Sequence, residues 1–207
     1  MTHVKICGIN DAVNFDTVVA EGADFVGFVF FPPSPRAVTP AEAAALSARA
    51  IGGPQRVGLF VNPADAEIAD VLSAIKLDAL QLHNCTIARI AEITARFAVP
   101  VWRAIGVSAA SDLPAEAHAD LLMLDAKAPK NATRPGGNAA VFDWSVLSGW
   151  HAPGPWMLAG GLTPDNVAAA IAATGAPIVD VSSGVESVPG VKDLTRIRAF
   201  VRAAKAA

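Results

Sequence analysis

Two apolar runs in this chain end on groups that can move protons. Val4-Lys5-Ile6-Cys7 ends in a thiol followed at once by Gly8, and Leu121-Leu122-Met123-Leu124-Asp125 ends in a carboxyl group. A carboxylate in that position is costly to bury unless it is paired or faces a cavity. Free cysteine more often packs as a small hydrophobe than it reacts, so the thiol alone decides nothing. With an acid opposite it the chemistry becomes specific: one group removes a proton from one atom of a substrate while the other donates at a different atom, which is an isomerase arrangement. No Ser-His-Asp order, metal-ligand cluster or nucleotide fingerprint competes. The glycines at 52, 53 and 58 have neither the spacing nor the preceding strand of a dinucleotide loop.

A second group of residues reads as an anion cradle. Leu158-Ala159-Gly160-Gly161 places two glycines after one apolar run, and Val179-Asp180-Val181-Ser182-Ser183-Gly184 places two serines and a glycine after the next. Glycine lets backbone N–H groups approach an anion closely, serine hydroxyls add donors, and a helix start contributes a favourable dipole. Two such loops in consecutive units predict a phosphorylated small-molecule ligand. Arg36, His83 and Arg103 also fall near the ends of apolar runs. For His83 a structural role at a barrel mouth and a functional one stand equally open.

The elements that must hold these groups come from one repeated unit. Strands are predicted at 4–7, 24–30, 56–61, 79–83, 99–105, 120–125, 156–160 and 177–183, each nearly continuous in apolar residues, as parallel strands buried on both faces are. Alanine-rich helical segments lie between them, at 10–22, 39–53, 163–175 and 193–205 among others. Asn10 and Asp11 are candidate caps, and Thr39-Pro40 and Thr163-Pro164 read as an N-cap followed by proline at the first helical position. The fifth helical segment, 108–119, carries Pro114 and shrinks to a turn or two. Residues 126–140 form the longest irregular stretch and read as a mobile active-site loop. Eight strands alternating with about eight helices, at a period of about 25 residues, predict a single (β/α)8 TIM barrel of parallel strands, one catalytic domain over 1–207. A doubly wound open sheet shares the periodicity, but eight strands without a compositional break favour closure.

Composition narrows the partners. Of 207 residues 53% are hydrophobic and 17% charged, which excludes disorder, and a net charge of −3 offers no basic field for nucleic acid or anionic lipid. No run approaches the roughly 18 apolar residues of a membrane span and no signal peptide is visible, so the expected location is cytoplasmic. Cys7 and Cys85 make no disulfide framework, and with four histidines they match no zinc pattern, so no metal is expected. Phe31, Trp150 and Trp156 are core, loop or interface residues, which leaves monomer and homodimer both open.

Lys5 to Gly8, the stretch 23–36, Val57 to Asn62, Gln81 to His83, Leu121 to Asp125, Phe142 to Trp144, 158–167 and 180–193 together resemble the phosphoribosylanthranilate isomerase family in the same order along the chain. The resemblance implies a (β/α)8 barrel without cofactor or metal. It implies an Amadori rearrangement of N-(5-phosphoribosyl)anthranilate to 1-(2-carboxyphenylamino)-1-deoxyribulose 5-phosphate in tryptophan biosynthesis. Carried over by position, it makes Asp125 the general acid that protonates the ribose ring oxygen and Cys7 the general base at C2′. The small thiolate population of Cys7 at neutral pH is one that nearby positive charge or a helix N-terminus can enlarge, and its protonation state is left open. Arg36 would meet the anthranilate carboxylate with its planar fork. Gly160, Gly161, Ser182, Ser183 and Gly184 would hold phosphate, and Lys5, Gln81, His83, Arg103 and Asp180 would line the substrate. The chain departs from the family pattern at Asn84-Cys85-Thr86, where Gly-x-Glu is common, and at Asn138-Ala139, where Thr-Gly is. Two alternatives follow: a phosphosugar-binding barrel without turnover, and a related aminoaldose-ketose isomerase of histidine biosynthesis, which uses two aspartates where this chain has Cys7.

Overall fold

The computed structural model describes residues 1–127 and 143–207. Eight strands, β1 (His3–Cys7), β2 (Phe25–Val29), β3 (Gln55–Val61), β4 (Ala79–His83), β5 (Val101–Val107), β6 (Leu121–Ala126), β7 (Trp156–Leu158) and β8 (Ile178–Val181), pair in parallel in chain order. Val4 pairs with Val179 and Lys5 with Asp180, so β8 returns to β1 and the sheet closes. That closure removes the open-sheet alternative. The expected loop at 126–140 begins later than its first residues, since Ala126 ends β6; its remainder, together with Asn138, Ala139 and Phe142, lies outside the described residues.

Helices α1 (Ala12–Ala20), α2 (Pro40–Ser47), α3 (Asp65–Ala74), α4 (Ile87–Phe97), α5 (Val167–Thr174) and α6 (Leu194–Ala206) pack outside the barrel. The expectation of about eight helices is corrected to six α-helices among the described residues. After β5 there is only a 3-10 turn, Ala110–Asp112, and before β7 another, Trp144–Leu147. In the first, the Asp112 carboxylate accepts from the N–H groups of Ser108 and Ala109, and Pro114 two residues on has no N–H with which to continue a helix. Thr39 caps α2 as expected, in a reciprocal box with Glu42. Thr163 does not cap α5. The Asn166 side chain instead accepts from the Thr163 N–H at 2.7 Å and donates to the Gly161 carbonyl at 3.0 Å, so a turn precedes a helix that starts at Val167.

Strand alternation divides the apolar residues into two cores. Val4, Ile6, Phe28, Phe60, Leu80, Leu82 and Leu124 face outward against Phe15, Ile68, Ile90, Ile197 and Phe200 of the helices. Val57, Ala79, Trp102, Leu121, Met123, Met157 and Ala159 fill the barrel interior. Trp150 and Trp156 are half-buried, meet edge to face with ring centroids 5.6 Å apart, and belong to the outer layer. Among the described residues, no helix is long and apolar enough to cross a membrane.

One element was not predicted. After β8 the chain makes a short antiparallel hairpin, β9 (Glu186–Val188) and β10 (Val191–Lys192). Its turn depends on Gly190 at φ +86°, where a Cβ would stand 2.6 Å from the Pro35 carbonyl oxygen. The hairpin is thereby pressed onto the loop that follows β2.

Candidate active site at the carboxyl ends of the strands

The inward positions nearest the carboxyl ends of β1, β4, β6 and β8 are Cys7, His83, Asp125 and Asp180. With Gln81, Arg36 and Ser182 they line one cavity at that end of the barrel. The thiol and the acid singled out from the sequence therefore face a shared space. Cys7 is only 4% exposed, and that residual opening is onto the cavity. Gly27, its register partner on β2, makes room for it: a Cβ there would lie 2.9 Å from the sulfur.

Burial sets the protonation of these groups. The Asp125 carboxyl is pushed up to about 7 by desolvation and by the charge of Asp180, against the opposing pull of the Ala126 N–H and of Lys5. Near neutrality much of it carries a proton to give. Burial also pushes the Cys7 thiol up, with Asp180 adding to the effect and Lys5 and Lys192 opposing it. The positive charges that could enlarge the thiolate population are present, but desolvation outweighs them. Desolvation and the charge of Lys5 lower His83 to about 4, so it is a neutral imidazole. Its Nε2 lies 2.8 Å from Gln81 Nε2, and the Gln81 Oε1, buried in the same wall, has no hydrogen-bond partner among the described residues.

Arg36 reaches the rim across Gly8, whose positive φ of 77° turns the chain out of β1. Its fork is engaged within the chain. Glu186 takes it, with Nε donating to Oε1 at 2.6 Å and Nη2 to Oε2 at 2.8 Å. Lys192 donates to the same carboxylate at 2.9 Å and to the Ser182 carbonyl at 2.9 Å. Burial works against the Glu186 charge, yet Arg36 and Lys192 hold it down to about 2. Glu186 and Lys192 were missed by sequence reasoning, although two ionisable residues of opposite charge bracketing Ser-Val-Pro-Gly-Val were a usable sign.

Other expected residues divide by strand parity. Trp102 belongs to the interior cluster and Ala104 packs against it, so Arg103 between them points outward and does not join the cavity. Its guanidinium reaches the Ala117 carbonyl at 3.5 Å instead. Lys5 lies inside the barrel but is fully buried beneath the cavity rather than lining it. The departure at Asn84 leaves the backbone as a glycine would: Asn84 takes φ +57°, a left-handed conformation that asparagine tolerates, and Thr86 caps α4 through the Arg89 N–H.

At the proposed anion seat, Gly160 and Gly161 have φ of 86° and 63°, and a Cβ at Gly160 would stand 2.4 Å from the Ala126 nitrogen. The Gly160-Gly161 loop also touches the Ser182-Ser183-Gly184 loop, since a Cβ at Gly184 would come within 1.8 Å of the Leu162 carbonyl oxygen. Overpacking costs about 1–3 kcal/mol, so Gly184→Ala should separate the two loops and weaken sugar-phosphate binding about tenfold, measured by calorimetry. Wild-type affinity in that variant would mean that the loops do not act as one seat.

The sequence model of the family described as N-(5'-phosphoribosyl)anthranilate (PRA) isomerase matches residues 4–203. An N-(5'-phosphoribosyl)anthranilate isomerase of Granulibacter bethesdensis is 52% identical over 206 residues, covering 99% of each chain. Crystallised monomers generated from the dimeric phosphoribosylanthranilate isomerase of Thermotoga maritima superpose with a TM-score of 0.82 at 37% identity, covering 100% of both chains. A phosphoribosyl anthranilate isomerase in complex with reduced 1-(o-carboxyphenylamino)-1-deoxyribulose 5-phosphate superposes with a TM-score of 0.84 at 35% identity, again over 100% of both. With the thiol and the acid facing one cavity of a closed eightfold barrel, and with relatives matched over their whole length, the chain belongs to the N-(5'-phosphoribosyl)anthranilate isomerase family of tryptophan biosynthesis.

Proposed function

We propose that this barrel isomerises N-(5'-phosphoribosyl)anthranilate with Asp125 as general acid and Cys7 as general base. Asp125 donates its proton to the ribose ring oxygen; the C1′–O bond breaks and the nitrogen lone pair forms a Schiff base. The Cys7 thiolate then takes the proton from C2′, and the C2′–H electron pair moves toward the iminium to give an enolamine. Tautomerisation of the enol to the ketone yields the 1-amino-1-deoxyribulose product. Arg36, held in place by Glu186, offers its charge to the anthranilate carboxylate, and the Gly160-Gly161 and Ser182-Ser183-Gly184 loops take the phosphate. The observation that carries this assignment is Cys7 and Asp125 on one cavity, with Asp125 still partly protonated at neutral pH.

The substrate is a phosphorylated small molecule, and the state of assembly is monomer or dimer, both of which are named for the Thermotoga maritima relative. A steady-state assay with substrate generated in situ should show turnover by the wild-type chain and none by a Cys7→Ala, Asp125→Ala double variant. Equal rates for the two would remove both residues from the mechanism. Calorimetric binding of a sugar phosphate without turnover by the wild type would favour the silent binding barrel instead.

A further inference from the structure

Lys5 is the largest fully buried ionisable side chain of the interior, and substrate cannot reach it: it is 0% exposed and lies below the cavity. Barrel register explains both its neighbours. Lys5 is the Cα partner of Asp180 across β1 and β8, both facing inward, and its Nζ donates to Asp180 Oδ1 at 2.7 Å. Two residues on, Cys7 shares that inward face and is the partner of Gly27 on β2. A Cβ built on Gly27 would stand 2.9 Å from the Cys7 sulfur and 3.2 Å from Lys5 Nζ, so sulfur and ammonium crowd the same missing methyl. A side chain at residue 27 would fill the space they share.

We propose that Lys5 is a positioning residue for the isomerisation: its ammonium, pinned by Asp180 and admitted by Gly27, is the fixed positive charge that stabilises the Cys7 thiolate. This rests on Cys7 being the base. An ammonium in an apolar interior would ordinarily tend to shed its proton, and desolvation does act that way on Lys5, but Asp180 and Cys7 outweigh it and keep it charged. The other charged groups acting on the sulfur are Asp180 from β8, which opposes the thiolate, and Lys192 from β10, which favours it. Asp125, neutral His83 and Arg36 face it across the cavity. Of these, Lys5 is the one that shares the gap over Gly27 with the sulfur and has no other access to the reaction.

The test is the titration of Cys7 itself, followed by ultraviolet thiolate absorbance in a Cys85→Ser background so that one thiol reports. Loss of a charge partner at this range is worth about 1–3 pH units, so Lys5→Met should move the Cys7 midpoint up by that much. It should also lower kcat by about tenfold or more at neutral pH, with KM little changed. Lys5→Met leaves Asp180 buried without its partner. A Lys5→Met, Asp180→Asn double variant removes both charges, and it should also titrate above wild type. A purely packing role for Lys5 would lower stability without moving the midpoint. A Cys7 midpoint unchanged in both variants would overturn the proposal, even with Cys7→Ala inactive. Wild-type turnover by Cys7→Ala would instead overturn the assignment of the base, and the thiol titration would still decide what Lys5 does.

Discussion

Asp125→Asn should cut kcat by about a hundred- to ten-thousandfold, the usual worth of a positioned general acid. The amide matches the carboxyl in shape and keeps its place at the end of β6, but it has no acidic proton for the ribose ring oxygen, and ring opening is the step that exposes C2′ for the second transfer. What separates this from simple damage is the sign of the stability change. The folded-state value of about 7 lies above the roughly 3.9 of an unfolded aspartate, so the native chain binds the proton more tightly than the unfolded chain does. Wild-type stability from this site is therefore fully present below about pH 4 and is lost as pH rises toward about 7. The Asn variant has no charge to bury, so urea unfolding at pH 8 should find it at least as stable as wild type, while the steady-state assay finds it nearly inactive. An Asn variant that keeps wild-type kcat, or that unfolds more easily at pH 8 than at pH 5 as wild type does, would remove Asp125 from the acid role.

The parts of this site that lie on strand ends were legible because one rule governs them. A residue at the carboxyl end of an apolar run in a parallel barrel is near the chemistry if its parity is inward. Cys7, His83 and Asp125 meet both conditions. Arg103 meets the first and fails the second, and its parity could have been read from Trp102 and Ala104 on either side, which fill the interior. Residues whose role depends on pairing across the chain were not legible. Glu186 is 150 positions from the Arg36 it holds, and Lys5 is 175 positions from Asp180, so only closure of the barrel and the fold of the β9–β10 hairpin bring them together. The same non-locality explains why burial, not the flanking cations, governs the Cys7 thiol: residue types near a sulfur can be read from sequence, but the depth to which packing seals it cannot. Asn84 shows the converse, a departure from the family pattern that looks like a lost glycine until the backbone is seen to need only a left-handed residue.

Cys7→Ala should lose about a hundred- to ten-thousandfold in kcat/KM, and its pH profile should change shape in a way that identifies which limb the thiol owns. The working form needs Cys7 ionised and Asp125 protonated, yet Asp125 titrates at about 7 and burial holds Cys7 above its ordinary value of about 8.5. Below about 7 both groups hold protons, so the rate should rise with pH as a proton leaves the pair. Between the two titrations the pair keeps one proton, and the fraction that has it on Asp125 does not depend on pH, which gives a plateau. Above the Cys7 titration Asp125 has no proton to give and the rate should fall. In Cys7→Ala the residual reaction needs only protonated Asp125, so the rising limb near 7 should turn into a falling one, read from kcat/KM between pH 5 and pH 10. His83, lowered to about 4, is already neutral throughout that range and cannot supply the limb. A rising limb near 7 that survives in Cys7→Ala would belong to some other base, and the proton at C2′ would then have to leave by a route that does not pass through β1.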